Sequence, residues 1–313
     1  MSEETEALTG WKNFYDTQYK KLLWIPALMF AVALFLIFLQ YAQTGDFLYK
    51  DISLKGGLTV TVFLEKDISI DALAQDLQRA YPTAEVSVRS LTSLGNPIGF
   101  IVDSDIDGSQ EANIEALIST LSSAVATPLT EDMYTVEFIG SSLGASFFKE
   151  TFFALLMAFV FMGIVVFLYF RLAIPSMAVI LAAFSDIVVT LAIVNLLGIR
   201  LSTAGIAAFL MLIGYSVDTD LLLSTKLLKH KEGSLMKRLM EATKTGMTMT
   251  ATTLVTVTLA MIFSQSEVIR QIMIILFIGL LVDVINTWIQ NVGILRIYIE
   301  RKEKHALHHE SQS

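Results

Sequence analysis

Four aspartates stand inside long apolar runs of this chain: Asp186, Asp218, Asp220 and Asp283. Two lysines, Lys226 and Lys244, stand at the ends of such runs. A charge at the centre of a bilayer costs at least ~2.5–3.5 kcal/mol on insertion scales, so each group is a candidate for function before packing. The chemistry on offer is reversible protonation. A carboxyl near an amine is pulled one way by the cation and the other by desolvation, so its charge answers to water access. The alternative is an intramembrane aspartyl protease, in which two of Asp186, Asp218 and Asp283 share a proton and activate water.

Asp218 and Asp220 are two positions apart, roughly 200° around a helix, and so address different neighbours. Asp218 and Lys244 fall toward the same end of successive runs and are expected to meet across a helix bundle. Asp218 is therefore the preferred coupling residue, followed by Asp186, with Asp220 and Asp283 evenly balanced between coupling and packing. Lys226 reads as a snorkelling end-of-helix residue. Lys244, Thr248, Thr252 and Thr256 recur every four residues on one face. Threonines so placed usually bond their own i−4 carbonyls or pack between helices, and that reading is preferred to a water-lined path.

Such groups must be held by membrane-spanning elements. The 313 residues are 54% hydrophobic and 17% charged, with a mean hydropathy of +0.62, whereas soluble domains carry about 25% charged residues. There is no cysteine, which excludes disulfide scaffolds and thiolate metal sites, and the net charge of −8 argues against nucleic acid. Neither a cofactor nor a metal is expected. Apolar runs of about twenty residues lie at 22–41, 151–170, 174–197, 202–224, 246–263 and 269–292, giving six transmembrane helices. The first is taken as a retained anchor rather than a cleaved signal. With the amino terminus inside, fourteen of the twenty-two basic residues fall on the cytoplasmic side, so both termini are expected there.

Residues 1–21 and 293–313 are then cytoplasmic segments, 151–292 holds helices two to six, and 42–150 forms one outer domain. That domain has sixteen acidic residues against six basic, suiting an external surface. Period-two alternation over 58–64 reads as a strand, Ser69 precedes a helical pattern ending near Pro82, and strands follow at 84–90 and 98–103. A helix over 110–126 and a strand over 134–139 complete a β-α-β-β-α-β order, the split βαβ or ferredoxin-like arrangement. The fold class is an α-helical polytopic membrane protein with one α+β ferredoxin-like extracytoplasmic domain. Asp103, Asp105 and Asp107 lack the Glu of a calcium loop and read as a solvated turn. Gly56 and Gly57, just before the first strand, read as a tight turn or close backbone approach.

Several motifs carry a family resemblance. Asp51-Ile52-Ser53-Leu54-Lys55-Gly56-Gly57 resembles a double-glycine motif, and Ile139-Gly140-Ser141-Ser142-Leu143-Gly144 an entry to the second helix. Ser185-Asp186-Ile187, Gly214-Tyr215-Ser216-Val217-Asp218 and Ala242-Thr243-Lys244-Thr245 follow in order. In these residues the chain resembles the SecF family of archaeal type, protein-export membrane proteins of the resistance–nodulation–division superfamily. Where bacterial members carry Asn-Asp, this chain has Asp218 and Thr219, and Lys244 replaces an arginine. The resemblance implies no enzyme. It implies a partner, SecD, and a cell-membrane complex that helps the Sec translocon channel from the outer side. There its outer domains would hold unfolded secretory polypeptide while ion flow moves them. The protease alternative lacks the Gly-x-Gly-Asp pattern at Asp218.

Overall fold

The computed structural model describes residues 10–310, apart from 65, 67, 94, 95, 230–232 and 265. An amino-terminal helix α1 (Gly10–Leu22) runs into α2 (Trp24–Thr44). A single turn α3 (Ile52–Lys55) leads to β1 (Gly57–Phe63), α4 (Ile70–Ala80), β2 (Val86–Ser93), β3 (Asn96–Ser104), α5 (Glu111–Ala124) and β4 (Tyr134–Ile139). The remainder is helical: α6 (Ser141–Phe170), α7 (Ala173–Leu196), α8 (Thr203–Leu228), α9 (Leu235–Phe263) and α10 (Glu267–Ile285). A π-helical stretch, Asn286–Asn291, then joins α10 to α11 (Val292–Glu310).

Six helices are long and apolar enough to cross a membrane, at the six expected runs. Their starts differ from the hydropathy pattern in two places. α6 begins at Ser141 and α9 at Leu235, where the apolar runs begin only at 151 and 246. Hydropathy marks only what lies in hydrocarbon, while a helix continues into the polar zone until a cap stops it. Ser234 supplies that cap for α9, its hydroxyl accepting from the Lys237 amide at 3.3 Å. Residues 141–150, expected in the outer domain, are thus the first turns of α6.

The bundle is layered. α7 and α8 form its centre, with 61% and 56% of their most apolar windows buried, against 17% for α9 and 6% for α6. Outside the membrane part, the four strands pair antiparallel in the order β2-β3-β1-β4, with Val60 opposite both Val102 and Val136. Alternation places Leu58, Val60 and Val62 of β1 inward against Phe100 and Val102, under Leu73, Leu77, Leu117 and Leu121 of α4 and α5. Each such burial contributes about 1.5–3 kcal/mol. Ser69 caps α4 through the Ala72 amide, as its position suggested.

Backbone contact joins the sheet to the bundle. Gly56 and Gly57 have φ of +85° and +141°, and a Cβ on Gly56 would strike the backbone of Ser141. A Cβ on Gly144 would strike the backbone of Gly56 in turn. Only glycine lets β1 start this close to the first turn of α6. Beside this junction the Leu201 amide donates to the Tyr49 carbonyl at 2.6 Å and the Asp51 amide to the Leu201 carbonyl at 2.9 Å. Glu85 receives Lys55 at 2.7 Å and, from the α7–α8 loop, Arg200 at 2.9 Å.

Candidate functional site

One stripe of α8 turns inward: Ile213, Ser216, Val217, Asp220, Leu223, Ser224 and Leu227 are all buried. Asp220 sits on that stripe, facing Asp186 of α7 and Asp283 of α10, and each of the three is at most 1% exposed. Ser216 donates to Asp186 Oδ2 at 2.6 Å, and the Asn286 amide donates to Asp186 Oδ1 at 2.7 Å. The Asn291 amide donates to Asp220 Oδ1 at 2.6 Å. The Thr287 hydroxyl lies 3.0 Å from both Asp220 Oδ1 and Asp283 Oδ1.

Three of those donors come from the π-helical stretch. A π turn inserts one extra residue into an α-helix and recurs at functional sites. Here it presents Asn286, Thr287 and Asn291 to carboxyls on three different helices. These polar residues are visible in the sequence as interruptions near the inner end of an apolar run. The π geometry that aims them is not.

The protons available to the cluster can be counted. Thr287 has one hydroxyl proton and two carboxyl oxygens at equal distance. Both contacts are full hydrogen bonds only when one carboxyl carries a proton and donates it. Asp220 Oδ2, Asn286 Oδ1 and Asn291 Oδ1 are buried acceptors that no donor meets. The surroundings of the three carboxyls are hydroxyls, amides and one another. Three uncompensated negative charges do not persist in such a place, so positive charge must enter with them. Among the described residues no group of three or more acidic, histidine or cysteine side chains is placed to hold a metal ion.

Asp218 and Lys244, expected to meet, do not: both are exposed on the surface of the chain, and among the described residues no ion pair joins them. The reason is rotational. Asp218 is off the inward stripe of α8 by the same roughly 200° that separates it from Asp220. Thr248 and Thr256 bond the i−4 carbonyls of Lys244 and Thr252 at 2.8 and 3.0 Å, as expected of the stripe, whereas Thr252 bonds the i−3 carbonyl of Met249 at 2.8 Å. Lys244, Thr248 and Thr252 line an open groove on the outward face of α9 together with Met247, Ala251 and Val255. Lys226 approaches Glu241 at 3.9 Å. Gly214 meets nothing within 4 Å where its Cβ would be, and the structure offers no packing reason for it. Asp103 is buried against Arg89 and Thr59, Asp105 reaches Lys55, and Asp107 turns to the Ser109 amide, so the acidic loop is structural. Of the aspartates the protease reading draws on, Asp186 and Asp283 are buried, and Asp218 is exposed on another face of α8.

The family model for the C-terminal part of SecD/SecF protein export membrane proteins matches residues 117–301. A protein-export membrane protein SecF from Pyrococcus furiosus is 38% identical over 93% of this chain and 95% of its own length. The SecF of Methanothermobacter thermautotrophicus is 36% identical over 90% and 93%. The crystal structure of SecDF from Thermus thermophilus, a translocon-associated membrane protein, superposes with a TM-score of 0.69 at 17% identity. That match covers 95% of this chain and 40% of the SecDF chain.

Proposed function

This chain belongs to the SecD/SecF family of protein-export membrane proteins, and we propose that it is a SecF-like accessory subunit working beside SecD, driven by a transmembrane ion gradient. Both termini are cytoplasmic in this reading, by the distribution of basic residues. The outer domain is read as ferredoxin-like, on the strength of its antiparallel order β2-β3-β1-β4. It would hold unfolded secretory polypeptide as the Sec translocon channel releases it. SecD would supply six further helices and cover the groove of α9, where Lys244, Thr248 and Thr252 stand among Met247, Ala251 and Val255.

The observation that carries the coupling is the buried cluster of Asp186, Asp220 and Asp283. Its one Thr287 hydroxyl lies between two carboxyl oxygens, and a proton on either carboxyl completes both bonds. Protons arriving from one side and leaving to the other would change how α7, α8 and α10 are tied together. Exposed Asp218 and Lys244 would serve as the approach to that cluster at the SecD boundary. The test is secretion of a reporter in a strain deleted for the chromosomal copy. Asp220→Asn is expected to reduce export to the deletion level while the protein stays in the membrane with SecD. Export at the wild-type rate would remove the cluster from the mechanism.

A further inference from the structure

The π-helical stretch has a second face, turned away from the carboxyls. Trp288 and Ile289 line an apolar cavity of about 290 Å³ together with Met240, Thr243 and Met247 of α9 and Tyr15 of α1. Trp288 is 7% exposed and its indole Nε1 meets no acceptor. The Trp288 carbonyl accepts a hydrogen bond from the Tyr15 hydroxyl. Tyr19, one turn further along α1, donates to Glu300 of α11 at 2.5 Å and lies under the Arg296 guanidinium at 4.2 Å. The amino-terminal helix therefore grips the chain at the π turn and again beyond it.

We propose that Tyr15 is a positioning residue for the carboxyl cluster: its hydrogen bond to the Trp288 carbonyl holds Asn286–Asn291 in π register. This rests on the reading of the cluster as the coupling site. A π turn shifts the regular α partners of its backbone groups, and the Tyr15 hydroxyl donates to one of its carbonyls. Removing the extra residue from the turn would rotate the rest of the helix by about 100°. Asn291 would then leave Asp220, while Asn286, at the start of the turn, would stay near Asp186. The cavity beside Trp288 and Ile289 gives the backbone room to make that change. Burial pushes the Tyr15 hydroxyl up to about 12, against the lowering pull of Arg296, so it remains a donor at any physiological pH. Loading of the cluster and register of the turn become one equilibrium, and α1 biases it from the inner end of the bundle.

The chain has three tryptophans, so Trp11→Phe with Trp24→Phe leaves Trp288 as the sole reporter of the turn. The titratable or charged groups facing the turn are Asp186 from α7, Asp220 from α8, Asp283 from α10, Tyr15 from α1 and Arg296 from α11; α9 adds none to the cavity lining. In full-length protein in lipid nanodiscs, Trp288 emission is expected to change with pH, and Asp220→Asn to abolish the change. Tyr15→Phe keeps the ring and removes only the donor. It is expected to displace the emission midpoint by about one pH unit toward higher pH, one hydrogen bond being worth about tenfold. Hydrogen exchange at backbone amides 288–292 is expected to quicken in the same variant. A midpoint and exchange rates unchanged in Tyr15→Phe would overturn the positioning role. Flat emission with gradient-dependent export intact would overturn the link between turn and cluster while leaving the coupling reading standing.

Discussion

At the residue scale, Thr287 lies between Asp220 and Asp283, and Asn286 and Ser216 both donate to Asp186. Asp186→Ala removes the acceptor of two buried donors, Ser216 and Asn286. A buried donor left unpaired costs about 1–3 kcal/mol, so a clear loss of thermal stability in detergent is expected, with Asp186→Asn milder. Equal melting of the two variants would contradict the bonding described. Outside the membrane, Asp51 offers a pH test. Burial and then the neighbouring Asp103 charge raise its carboxyl above the usual range, outweighing Arg89, the Ile52 amide and Arg200. The folded protein therefore holds that proton more tightly than the unfolded chain. Its contribution to stability is present in acid and is lost as pH rises through the raised folded value. Asp51→Asn is expected to stabilise the outer sheet at neutral pH and flatten this dependence, as read by denaturation at a series of pH values.

At the scale of elements, the junction between sheet and bundle has a hard part and a soft part. The hard part is the glycine contact. Gly56→Ala forces a Cβ into the backbone of Ser141 at a positive φ, a strain of about 1–3 kcal/mol before any displacement. Failure of the outer domain to resist protease is the expected outcome. The soft part is Glu85 with Lys55 and Arg200. Half-exposed pairs of this kind contribute about 0–1 kcal/mol, so Glu85→Ala is expected to speed hydrogen exchange around 49–51 and 201 without unfolding the sheet. The strands were legible because Leu58, Val60 and Val62 alternate strictly, and α4 because Ser69 precedes its apolar stripe. The starts of α6 and α9 were not, since they lie where hydropathy has already faded. The choice of Asp220 over Asp218 was half legible: Ser216 and Ser224 flank Asp220 at i±4 and mark a close-packed face. Electrostatic pairing with Lys244 argued for the other residue, and packing decided against it. The π turn had no signal beyond Asn286, Thr287 and Asn291 themselves.

For the whole molecule, the telling fact is that the outward face of α9 sets Lys244, Thr248 and Thr252 among Met247, Ala251 and Val255. SecD is the partner proposed to cover that face. The chain has no cysteine, so Thr252→Cys provides a unique label within the groove. Coexpression with SecD is expected to protect it from a small thiol reagent, and unchanged labelling would place SecD elsewhere. The proposed coupling depends on a carboxyl that gains and loses its proton as the complex works. Infrared difference spectroscopy reads this directly, through the protonated carboxyl stretch. With membranes containing the full complex, a pH step is expected to produce a band that Asp220→Asn removes or shifts. A spectrum with no protonated carboxyl band at any pH, in the presence or absence of a gradient, would contradict it.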